Sequence, residues 1–141
     1  MSAEVDLLRE AATTMRKIAA GATRGEWEAL DGGDRIVAWN EDGGDFEYVV
    51  DEPMSHAGNA AHIAAWDPTV ALMVAGWLEE AAAELEEHLP AWTRPSQGVD
   101  DPPALGWDNP EWLAATVAHH FGRPLAVARE FLRREAVTAD A

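Results

Sequence analysis

With 141 residues the chain can bury one core, and its formal charge of −16 repels nucleic acid and anionic membranes and favours basic partners. It has no cysteine, which excludes disulfides, thiolate zinc sites and thiol nucleophiles together. No run approaches the roughly 18 to 20 apolar residues of a membrane span, and Glu4 and Asp6 stand where a signal peptide would carry bases, so a cytoplasmic protein without a membrane partner is expected.

The first element is an amphipathic helix. Val5, Leu8, Ala12, Met15 and Ala19 recur at steps of three and four, and Gly21 stops the run. From Trp27 the period changes. DRIVAW and FEYVVDE are rich in β-branched and aromatic residues, and the intervening NEDGG tolerates the backbone of a tight turn. Two antiparallel strands are predicted, near Arg35 to Trp39 and Phe46 to Asp51. A two-stranded ribbon is marginal in water, so it must lie on helices or take a third strand from Glu26 to Leu30. Pro53 ends it.

A short helix through Ala65 follows, with Ser55 or Asn59 as its cap, and Asp67-Pro68 then starts a longer one. On that helix Val70, Met73, Val74, Trp77, Leu78, Ala81 and Leu85 share a face, leaving Glu79, Glu80, Glu84, Glu86 and Glu87 mostly on the wet side. From Pro90 to Pro110, prolines, glycines and aspartates exclude regular structure and predict a strap that packs Trp92 and Trp107 across the domain. Asn109-Pro110 starts a further helix that Gly122 ends and Pro124 restarts, giving a C-terminal helical hairpin. The expected class is α+β, mostly helical, with a short antiparallel ribbon packed on helices. Residues 1–90 form the core, 91–109 the strap and 110–141 the hairpin, within a single domain.

The chemistry follows from what the chain lacks. Between Arg35 and Arg94 there is no lysine or arginine, whereas Glu41, Asp42, Asp45, Glu47 and many further acids fall there. Such a run is an ordinary solvated surface or a docking face for a basic protein, in which carboxylates stand where the partner meets phosphates. Glu41, Asp42, Asp45, Glu47, Trp92 and Trp107 are the candidate partner-binding residues. The C-terminal hairpin raises an alternative, a helix-turn-helix DNA reader using Arg123, Arg129, Arg133 and Arg134, against which the acidity of the whole chain counts. A third alternative is a small metal-dependent hydrolase using His56, His62 and nearby acids, but the histidines' separation matches no standard zinc spacing and the glutamate row lacks the second acidic helix that such a site needs. No catalytic residue, metal ligand or cofactor is therefore assigned.

Four segments resemble small uncharacterised accessory proteins of actinobacterial phages and prophages: LREAATTM at Leu8 to Met15, ATRGEW at Ala22 to Trp27, NAAHIAAWDP at Asn59 to Pro68 and WLEEAAAELE at Trp77 to Glu86. ATRGEW departs from the proline-containing form usual there, and the C-terminal region is not shared. The resemblance implies an accessory protein acting in the host cytoplasm, and it carries over no site. The expected function is non-enzymatic binding of a host or phage protein with a basic surface. Alanine-rich helical faces and Trp77 add the expectation of a homodimer.

Overall fold

The computed structural model describes residues 2–30, 35–40, 42–51 and 56–139; Glu41, Pro53 and Ser55 lie outside the described residues. Helix starts follow side-chain chemistry. α1 (Ala3–Gly21) begins where Ser2 Oγ accepts the Val5 N–H at 3.1 Å. α3 (Pro68–Thr93) begins where Asp67 Oδ1 accepts the Val70 N–H at 3.0 Å, and α4 (Pro110–Ala139) where Asn109 Oδ1 accepts the Trp112 N–H at 3.0 Å. Each oxygen satisfies an amide that the first helical turn leaves without an acceptor. The short helix α2 (Ala57–Ala65) has no such bond. Its N-cap is His56, and Asn59, expected as a cap, lies inside the helix with its N–H on the His56 carbonyl.

Three strands, β1 (Glu26–Ala29), β2 (Ile36–Trp39) and β3 (Phe46–Val50), form an antiparallel sheet in chain order, so the third strand is Glu26–Ala29. Gly43, at φ +70°, helps turn the chain between β2 and β3, and its N–H meets the Asn40 carbonyl at 2.9 Å. A bulge beside Ile36 and Val37 shifts the register, pairing Ile36 with Val50 and Val37 with Tyr48.

Backbone contacts group the chain into two compact units. Residues 13–75 hold the sheet and α2, whose core joins buried Ile36 to Ala60 and Ala64, with Trp27, Ala29, Val49 and Val50 against it. The two alanines lie one turn apart, and their small side chains let the helix approach the sheet closely. Residues 1–12 and 76–141 form the other unit, in which three helical segments each bury a stripe. Val5, Leu8, Ala11 and Ala12 come from α1, Leu78, Ala81, Ala82 and Leu85 from α3, and Val117, Phe121, Leu125 and Ala128 from α4. Burying a leucine fully contributes roughly 1.5–3 kcal/mol, so Leu8, Leu78 and Leu85 are the strongest anchors. Arg9 and Glu86 tie α1 to α3 through two hydrogen bonds. These place the Glu86 carboxyl below its ordinary range, chiefly through the guanidinium's hydrogen bonds.

The structure corrects several expectations. There is no C-terminal helical hairpin: α4 runs unbroken through Gly122 and Pro124 to Ala139. Its buried residues Val117, Phe121, Pro124, Leu125 and Ala128 keep one helical period across Gly122-Arg123-Pro124. Continuous burial there outweighs roughly 1 kcal/mol for an interior glycine and roughly 3 kcal/mol for proline. Likewise α3 continues through Pro90 to Thr93, which shortens the irregular strap. The strap's Gly106 and Ala104 N–H groups meet the Trp92 and Arg94 carbonyls at 3.0 and 2.9 Å, supplying donors at the end of α3. Met73 and Trp77, expected on the buried face of α3, are 70% and 42% exposed. Leu78, Ala81 and Leu85 are buried as expected, and the glutamates from Glu79 to Glu87 are exposed.

Candidate functional site

The ribbon sorts its side chains by strand period. Residues paired across strands point to the same face, and neighbours along a strand to opposite ones. The face packed on α2 carries Trp27 and Ala29, Ile36 and Ala38, Glu47 and, at the bulge, both Val49 and Val50. The other face carries Glu26 and Glu28 from β1, Val37 and Trp39 from β2, and Phe46 and Tyr48 from β3. Val37 is fully buried between its cross-strand neighbours Glu28 and Tyr48. The rings above it are not: Phe46 and Tyr48 stay 45% and 46% exposed, and Trp39 is half-buried.

These rings form a ladder. Trp39 and Phe46 meet edge to face with centroids 5.3 Å apart, and Phe46 and Tyr48 at 5.5 Å, with interplanar angles of 64° and 88°. Perpendicular neighbours leave alternate ring faces open. The Trp39 indole N–H donates to Glu28 Oε2 at 2.7 Å, which fixes the ring and holds a carboxylate beside it. Gly25 sets the approach of β1 to Trp39. Its φ is +112°, and a Cβ there would lie 1.9 Å from the Trp39 carbonyl oxygen.

Of the expected acidic cluster, Glu41 lies outside the described residues. Asp42 and Asp45 are exposed, and each commits one oxygen to the turn. Asp42 Oδ1 accepts the Gly44 N–H at 2.9 Å, and Asp45 Oδ1 accepts the Phe46 N–H at 2.8 Å. Glu47 is exposed but alternates with Phe46 and Tyr48, so it points to the other face, lining a cleft with Arg24 and Asp45. The acids that share the aromatic face are thus Glu26 and Glu28. Sequence reading missed them, along with Trp39, Phe46 and Tyr48, although period-two alternation in EWEA and FEYVV is the signal that could have found them.

Trp92 and Trp107 part company. The Trp92 indole stacks between His88 and His120, with centroids at 5.2 and 5.7 Å, and meets the Phe121 edge. Trp107 is 52% exposed rather than packed across the domain. Gly106 beside it is buried, packed so closely that a Cβ there would lie 2.6 Å from the Trp92 carbonyl oxygen and 3.1 Å from the Trp112 ring. Arg94 locks the strap through a two-pronged pair with Asp101 at 2.6 and 3.1 Å.

His120 also lines an open cleft of about 690 Å³ together with Trp77, Glu80 and Glu84 from α3 and His119 and Arg123 from α4. It brings two acids and three nitrogen bases into one groove. Among the described residues no group of three or more His, Asp and Glu side chains could hold a metal ion. His56 and His62 are both exposed.

The arginines of the DNA-reading alternative all lie on the one helix α4, without the turn on which that alternative rests. Arg133 and Arg134 both bind Glu130, at 2.8 and 2.7 Å. Their hydrogen bonds hold the Glu130 carboxyl down to about 2. Arg123 lines the cleft described above, and Arg129 is exposed. Among the described residues no helix is long and apolar enough to cross a membrane. Comparison with protein-family models, curated proteins and solved structures finds no match to this chain, so the reading of its surfaces rests on their geometry.

Proposed function

We propose that this chain is a non-enzymatic accessory protein that binds a basic host or phage protein through its acidic surface, with carboxylates standing where the partner would meet phosphates. One observation carries the reading. Among the described residues, Glu47, Glu80, Glu84 and Glu87 are exposed and form no ion pair, although Arg24 shares a cleft with Glu47 and Arg123 one with Glu80 and Glu84, and the stretch between Arg35 and Arg94 itself supplies no lysine or arginine. Carboxylates left unpaired on a folded surface give up local pairing energy and generate a field that accelerates encounter with a cation.

The test begins with capture of partners from a bacterial lysate and continues with the kinetics of the purified pair. Glu41, Asp42, Asp45 and Glu47 are replaced together by Gln and Asn, which keeps the acceptor oxygens that Asp42 and Asp45 lend to the turn. The association rate is expected to fall in the variant. In the wild type it falls as salt shortens the screening length from about 10 Å at 0.1 M to about 3 Å at 1 M. A partner that associates equally fast with both proteins at every salt concentration refutes the reading.

A further inference from the structure

We infer that the open face of the ribbon, Trp39, Phe46 and Tyr48 framed by Glu26 and Glu28, is a docking surface for the arginine side chains of an extended basic segment. This rests on the proposed binding of a basic partner and assigns the place and the chemistry of contact. The three rings are perpendicular neighbours with half-open faces, which is the geometry on which a planar guanidinium stacks. Glu28 is anchored through one oxygen by the Trp39 indole, leaving its other oxygen to accept from a cation lying over that ring. Glu26, directly across from Trp39 on β1, adds a second exposed carboxylate on the same face.

Charge selects the occupant. A second copy of this chain would set Glu26 and Glu28 against a molecule of formal charge −16, and nucleic acid would meet the same repulsion. At the sheet edges the Trp27 N–H on β1 is taken by Asp67 Oδ2 at 3.2 Å and the Phe46 N–H on β3 by Asp45 Oδ1 at 2.8 Å, which removes one donor from each edge and leaves the ring-bearing face as the surface for side-chain contact. In an extended segment lying along β3, side chains on one side recur about every 7 Å, the same repeat that separates Phe46 and Tyr48 on that strand, so arginines at alternate positions meet these two rings while Trp39 stands across from Phe46 on β2.

The test titrates the full-length protein with a short peptide of alternating arginine and serine, by calorimetry and by the shift of the Trp39 indole N–H resonance. A peptide with citrulline in place of arginine is the neutral control. The arginine peptide is expected to bind, to weaken with salt and to move the Trp39 resonance, whereas the citrulline peptide does none of these. Combining Phe46→Ala with Tyr48→Ala should weaken binding roughly 4- to 25-fold, from about 2- to 5-fold per exposed cation–ring contact. Glu26→Gln with Glu28→Gln keeps the acceptor for the indole and both neighbouring rings, and should also reduce affinity and flatten the salt dependence. Circular dichroism checks that each variant keeps its fold, and the glutamine pair tests the idea even if the ring variant unfolds. If folded ring and glutamine variants bind like the wild type and the salt dependence is unchanged, the acidic-surface reading stands and this face is not the site. If the wild type does not bind the arginine peptide at low salt, the inference about this face falls, whereas the acidic-surface reading is decided separately by the salt dependence of the captured partner. If light scattering finds a dimer that the ring variant dissociates, a second copy covers the face and the inference is overturned.

Discussion

Replacing Asp67 by alanine removes two bonds at once. The carboxylate is nearly buried, and its two oxygens serve different elements: Oδ1 caps α3 at the Val70 N–H, and Oδ2 accepts the Trp27 N–H of β1. Losing an N-cap costs roughly 0.5–2 kcal/mol. Leaving the part-buried Trp27 amide without an acceptor costs roughly 1–3 kcal/mol more. Asp67→Ala should therefore destabilise by about 2–4 kcal/mol, and Asp67→Asn, which keeps one acceptor oxygen, by about half as much. Urea titration followed by circular dichroism reads the difference as a midpoint lowered by roughly 1–2 M at unchanged slope. Amide exchange at Trp27 supplies the local readout and should accelerate in the alanine variant. An Asp67→Ala protein within about 0.5 kcal/mol of the wild type, or one whose Trp27 amide exchanges no faster, would refute the claim that this carboxylate joins helix to strand.

Gly25→Ala should cost roughly 2–6 kcal/mol in thermal unfolding, because it combines a strained φ with a clash against the Trp39 backbone, whereas Gly21→Ala, with open space around it, should be neutral or slightly stabilising. Leu85→Ala should lose roughly 2–5 kcal/mol by urea denaturation, while Met73→Ala, on a side chain 70% exposed, stays within about 0.5 kcal/mol; equal losses would contradict the assignment of the buried face of α3. Because the Glu130 carboxyl is depressed from its ordinary 4.5 to about 2, its pairs with Arg133 and Arg134 support the end of α4 above pH 4.5, and that support is lost as pH falls toward 2. A carboxyl-carbon NMR titration should place its midpoint near 2, and a midpoint at the ordinary value removes the pairing.

Local chemistry was legible in the residues alone. Asp67-Pro68 and Asn109-Pro110 start helices because a side-chain oxygen and a missing N–H suit the first turn wherever the helix later packs. The turn after Asn40 and the three strands follow from the same short-range forces, and so does the buried stripe of α1. The acidic stretch was also plain, since charge needs no fold to be counted. Tertiary structure decided the rest. Gly122 and Pro124 carry the signature of a break, yet α4 continues, because the buried stripe from Val117 to Ala128 contributes more than the one lost hydrogen bond and the flexible glycine cost. Which side of the ribbon stays open depended on α2 laying Ala60 and Ala64 against Ile36, a pairing of distant residues that no local pattern encodes. Covering one face sends Trp27 and Ile36 inward and leaves Phe46 and Tyr48 outward beside Glu26 and Glu28. On β1 the alternation of Glu26 and Glu28 with Trp27 and Ala29 already favours that outcome, but β2, Ile36–Trp39, is apolar on both faces and holds no local preference, so there only the packing partner breaks the tie.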